Sequence, residues 1–232
     1  MTLPTKPHLP VTVLGHPTFT VTLDSFRITD TRAQHNDTDY VSLTVLLKSA
    51  ASSGTPQTQV TYIGNVNNGT HYVGLAIPDL HIDPTQTLIF NYIVINYGTG
   101  HNVQDLVKNG IKQIGEILAG YGLVTGGTNL ARPPLPGIGS LLNSANQWLT
   151  GLSLLAGNPS CDGFVAVEQV TLTYADLLAK TASGPYQHET PHPGYDSAWG
   201  CGRNSMYYVD WHVSRKANID LPPIHTGPPV LS

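Results

Sequence analysis

The chain reads as a β protein interrupted by a helical insert. Strand-like alternation runs from about Thr18 to Asn96 and resumes at about Phe164, and residues 101–158 between them carry a helical pattern. Only Asp105, Lys108, Lys112, Glu116 and Arg132 are charged in that insert, and nothing from Pro133 to Cys161 is. An insert this apolar needs a cover: the protein's own sheet, a second copy of the chain, or a membrane. No uninterrupted apolar run reaches the roughly 18–20 residues of a spanning helix, which argues against a constitutive membrane span.

Two amphipathic stripes lie within the insert. Val103, Leu106, Val107, Ile111, Ile114, Ile117 and Leu118 recur at three- and four-residue spacings, with Asn102 placed to cap and Asp105 placed to complement the dipole. Gly120, Gly122, Gly126 and Gly127 end this helix, and Pro133, Pro134 and Pro136 punctuate the link. Ser140 opens a second stripe of Leu141, Leu142, Ala145, Trp148, Leu149, Leu152 and Leu155, stopped by Gly157-Asn158-Pro159. Each helix would be ~25 Å long. One stripe per helix is what packing onto the chain's own sheet requires, so that sheet is the expected cover.

The strands announce themselves by period-2 alternation. Phe19, Val21 and Leu23 alternate with threonines; Val41, Leu43, Val45 and Leu47 share a face, as do Tyr207, Val209, Trp211 and Val213. Gln59–Gly64 and His71–Ile77 flank an Asn68-Gly69 turn signal that reads as a hairpin. Leu88–Ile95 is apolar on both faces, as a strand covered on both sides must be. Phe164–Thr173 returns to strand, Tyr174–Ala182 reads as a short helical turn, and Ser183–Arg203 as a long loop. The expected fold is mainly β (α+β overall): one antiparallel β-sandwich over residues 1–232, jelly-roll or C2-like. A helical hairpin is inserted at 101–158, and extended arms occupy 1–17 and 217–232.

Charged residues are 11% of the chain, against about a quarter in ordinary soluble proteins. The net charge is −4 with no basic block, so nucleic acid is not an expected partner, because phosphate binding needs clustered Lys and Arg. The N-terminus, Met1 to Pro7, shows no apolar segment of a secretory signal, and the compartment stays open. Cys161 and Cys201 each sit in turn-like sequence before a strand and could be bridged or reduced. Asn36 and Asn68 fit the glycosylation pattern, which has meaning only on a secretory route.

Four groupings could carry chemistry. Asp24, Asp30, Asn36, Asp37 and Asp39 crowd the first connection, and Asp30, Asp37 and Asp39 are the candidate calcium ligands, although Asx residues also fill turns. His188 and His192 have i, i+4 spacing, with His212 and Asp196 as further ligands, but Pro191 breaks the helix that a His-Glu-x-x-His zinc motif needs. Tyr195, Trp199 and Asn68 are candidate ligand-binding residues, an aromatic face and an amide suiting a glycan. Catalysis is the minority expectation, since no Gly-x-Ser-x-Gly elbow, phosphate loop or paired-carboxylate arrangement appears.

Two segments, Cys161-Asp162-Gly163-Phe164-Val165-Ala166 and Gly200-Cys201-Gly202-Arg203-Asn204-Ser205-Met206-Tyr207-Tyr208-Val209-Asp210-Trp211, resemble those of a group of uncharacterised microbial β-sandwich proteins. In that group a Gly/Ala-rich helical segment precedes the first cysteine. The resemblance implies a sandwich with an insertion and carries over no catalytic residue. The function expected from the sequence is a non-enzymatic binding or interaction protein, membrane-active or self-associating as a homo-oligomer through its hairpin. The alternatives are a carbohydrate- or calcium-binding module using strand-end loops, and a hydrolase built on 183–212.

Overall fold

The structure is a computed structural model that describes residues 16–31, 37–98, 104–121, 162–194 and 205–216. These form eight strands: β1 (Thr18–Asp30), β2 (Asp37–Lys48), β3 (Gln57–Val66), β4 (Gly69–His81), β5 (Thr87–Asn96), β6 (Gly163–Thr173), β7 (Tyr186–His192) and β8 (Met206–Lys216). Two helices accompany them, α1 (Gln104–Tyr121) and α2 (Tyr174–Lys180). The strands build two four-stranded antiparallel sheets, a first ordered β4-β1-β8-β7 and a second ordered β3-β2-β5-β6. The fold is the mainly β sandwich that the alternation implies, with a helix following the fifth strand.

Alternate side chains of the central strands fill the space between the sheets. Val21, Leu23 and Phe26 of β1, Val41 and Leu43 of β2, Leu88, Phe90 and Tyr92 of β5, and Val209 and Trp211 of β8 belong to one buried cluster. At its centre Phe90 and Trp211, from opposite sheets, meet edge to face with centroids 4.9 Å apart.

The other face of β5 meets α1. Val107, Ile111, Ile114 and Leu118 bury against Tyr40, Ile93 and Ile95, so this helix spends its apolar stripe on the protein's own second sheet. Leu106 (48%) and Ile117 (45%) are left exposed on it. Asn91 on the sheet donates its side-chain N–H to the Gly115 carbonyl at 2.9 Å, and a Cβ at Gly115 would overlap the Thr44 hydroxyl. Gly115→Ala is therefore expected to lift α1 off the sheet and cost about 1–3 kcal/mol, as overpacking does. Urea unfolding checks this, and removing the Thr44 hydroxyl with Thr44→Ala should recover part of the loss. At the neck of the insertion the Gly98 N–H donates to Asp162 Oδ1 at 2.8 Å, tying the end of β5 to the start of β6.

Two sequence readings are corrected. The 183–203 stretch is not one loop, because β7 occupies Tyr186–His192 and pairs with β8 from Tyr186↔Val213 to His192↔Tyr207. Its inward positions, Tyr186, His188, Thr190 and His192, are polar or aromatic and so hide the period, and Pro191 is tolerated because β7 is an edge strand. The Asn68-Gly69 turn does not close a hairpin within one sheet. It joins β3, the edge of the second sheet, to β4, the edge of the first. The short helical turn forms as α2, opened by a capping box between Thr173 and Asp176. The second helix expected from Ser140, the Asn102 cap and most of both arms lie outside the described residues.

Candidate functional site

β2 begins at Asp37, so Asp37 and Asp39, which the sequence put in the connection before the strand, stand on the same inward face of the pleat. Both are buried, and the hydroxyl they share belongs to Tyr207 of the opposite sheet, at 2.6 Å from Asp37 Oδ2 and 2.9 Å from Asp39 Oδ2. One phenolic proton cannot serve two ionised carboxylates. Burial, then the neighbouring Asp37 charge, push Asp39 well above the usual carboxylate range, and the Tyr207 hydrogen bond offsets this only in part. Sharing one donor in this buried site therefore favours the protonated form of Asp39 more than an ordinary carboxylate's surroundings do. Asp30 sits exposed at the end of β1, and among the described residues no three His, Cys, Asp or Glu side chains converge as metal ligands. Asn36, a further oxygen donor of that grouping, lies outside the described residues.

A second interior network lies next to it, since His192 stands opposite Tyr207 across the β7–β8 ladder. The Tyr92 hydroxyl donates to Glu168 Oε2 at 2.5 Å, and Thr190 Oγ1 donates to the same oxygen at 2.8 Å. With the phenolic proton spent on the carboxylate, His192 Nε2, 2.7 Å from the Tyr92 oxygen, is the donor in that contact. Burial pushes the His192 imidazole down from 6.5 to about 4, so it is neutral in the folded protein.

The reachable cluster lies on the opposite, outward face of the first sheet. β1 carries an irregularity at Leu23/Ser25 against both of its neighbours: Leu23 and Ser25 face the consecutive Trp211 and Asp210 of β8, while on β4 their partners are Leu75 and Tyr72. Gly74 absorbs the β4 side of this kink with φ +63°, a conformation that glycine adopts without strain. The bulge turns Asp24 and Ser25 outward together. Asp24 Oδ2 lies 2.7 Å from His212 Nδ1, and Ser25 Oγ donates to Asp210 Oδ2 at 3.1 Å. One step along, Arg27 reaches Glu189 at 3.4 Å and lays its guanidinium over the Tyr208 ring, 4.0 Å from the centroid. Tyr72, paired in register with Ser25, is 86% exposed. α1 packs on the second sheet and α2 on β6, so neither helix roofs this face.

His188 and His192 face inward on β7, with His188 5.3 Å from the Trp211 ring, whereas His212 faces outward on β8. The sheet therefore separates the three histidines that sequence grouping had put together. Asn68 lies in the β3–β4 crossing. Tyr195, Trp199, Asp196, Cys161 and Cys201 are outside the described residues, and β6 and β8, the strands the two cysteines precede, belong to different sheets. The Asp24–His212 pair was missed because nothing local links residues 188 positions apart. It holds an imidazole in one orientation, the orienting half of a catalytic triad, but the Ser25 hydroxyl donates to Asp210 and not to the ring. A scan against protein-family models found no match for this chain, and a search of curated proteins found none either.

Proposed function

We propose that this protein is a non-enzymatic binding module that takes a carbohydrate on the outward face of its first sheet. The observation that carries this reading is Tyr72, a tyrosine ring 86% exposed in mid-strand on a face otherwise set with hydrogen-bonding side chains. β1 and β8, which carry Asp24 and Asp210, are central strands whose backbone groups are used in ladders on both sides, so over them a ligand is read by side chains, while Tyr72 stands on the edge strand β4. A sugar suits that: its C–H face stacks on an aromatic ring while its hydroxyls donate to carboxylates such as Asp210 and Asp24. This moves the carbohydrate site from the strand-end loops, where the sequence pointed, to the face of a sheet.

Tyr72→Ala tests the reading. Binding on a glycan array, confirmed by titration calorimetry, should fall by about tenfold or more. The melting temperature should hardly move, because an exposed side chain away from special features changes stability by only about 0.5 kcal/mol or less. Absence of binding to every glycan, or unchanged binding by the variant, refutes it.

A further inference from the structure

We infer that the carbohydrate taken on this face carries free ammonium groups, as a glucosamine polymer does, and that Asp210 is the residue that reads them. The inference rests on the carbohydrate reading above and adds the charge of the ligand to it.

Three carboxylates, Asp24, Glu189 and Asp210, stand together on this face with Arg27 among them, and Lys216 lies at the far end of β8. Arg27 is already committed to Glu189 and to the Tyr208 ring, and Asp24 is committed to the His212 imidazole. Asp210 has the neutral Ser25 hydroxyl as its printed hydrogen-bond partner, with the Arg27 charge nearby. Partial burial, and then the nearby Glu189 and Asp24 charges, raise its proton affinity above that of an ordinary carboxylate, and the Ser25 hydrogen bond and the Arg27 charge offset this only in part. A cation brought to Asp210 relieves that like-charge crowding, whereas an anionic sugar would add to it. Asp210 and Tyr72 both pair in register with Ser25, one from each side. The ring and the carboxylate thus stand about 10 Å apart across three strands. A chain of sugar rings spans that distance, stacking one unit on Tyr72 while a neighbouring unit presents its ammonium to Asp210.

The experiment is a calorimetric titration of the full chain at neutral pH with four probes: a β-1,4-glucosamine oligomer, its N-acetylated counterpart, the matching glucose oligomer, and an oligolysine. The glucosamine oligomer should bind about tenfold or more tighter than the other three, with an affinity that falls as salt is added. Asp210→Asn should erase that preference with an unchanged melting temperature, and Tyr72→Ala should weaken every glycan. Equal or tighter binding of the acetylated or glucose oligomer, or a preference that survives Asp210→Asn, overturns the inference and leaves the carbohydrate reading standing. Equal binding of oligolysine, or no binding of any glycan, overturns both.

Discussion

Tyr207→Phe is expected to lower the free energy of unfolding by about 3 kcal/mol, although it deletes a single oxygen. The hydroxyl is the donor between two fully buried carboxylates, and Asp39 Oδ1 already has no hydrogen-bond partner among the described residues. Removing a donor from a buried carboxylate costs far more than the bond it made, because the desolvated group cannot recover water. The same two carboxylates, with burial, push the Tyr207 hydroxyl far above an ordinary phenol, so it stays a donor at every pH at which the protein is handled. Urea unfolding at neutral pH measures the loss. Asp39→Asn in the Tyr207→Phe background should restore part of it, because the amide brings its own N–H donors to Asp37. A shift of less than about 0.5 kcal/mol, the size of an ordinary surface change, would show that the pair does not depend on the phenol.

Strands with one clean apolar face were legible because a pleated strand repeats every two residues. Phe19-Val21-Leu23 and Tyr207-Val209-Trp211-Val213 announce themselves, and both sets are buried where the alternation puts them. The doubly apolar β5 was legible for the same reason, with Phe90 and Tyr92 in the sandwich core and Ile93 and Ile95 under α1. β7 was not legible, because its inward residues are polar and find partners that only the fold supplies: Thr190 on Glu168, His192 on Tyr92, and His188 beside Trp211. The candidate site was illegible for a related reason. Asp24 and His212 could each be singled out, yet their meeting depends on a bulge in β1 and on β8 lying beside β1, neither of which a local pattern reports. The sequence grouped Asp37 and Asp39 in the connection before β2, whereas they stand on one face of that strand. It could not say that a tyrosine from the opposite sheet would take both.

Below pH 6.5 the fold should lose stability through His192, by about 3 kcal/mol on reaching pH 4. The imidazole is pushed down from 6.5 to about 4 by burial, so between those values the unfolded chain binds a proton that the folded chain refuses. Its contribution is fully present above 6.5 and is lost as pH falls toward the folded value, with a slope of up to about 1.4 kcal/mol per pH unit. Asp39 runs the other way. Its folded value is raised above 3.8, so its contribution is complete below 3.8 and is lost as pH rises through the raised value. The two groups act from facing networks, since His192 stands opposite Tyr207 in the ladder, and from about pH 4 upward the Asp39 slope opposes that of His192. His192→Gln keeps an amide donor for the Tyr92 oxygen and removes the titration, so its stability should not fall with acid as the wild type's does. Asp39→Asn removes the opposing slope, so its stability should climb more steeply than the wild type's as pH rises from about 4. Urea unfolding in closely spaced buffers across that window compares the three proteins. A His192→Gln curve parallel to the wild type would mean that the imidazole takes up its proton in the folded state as readily as in the unfolded one, and that water reaches His192 in the folded protein.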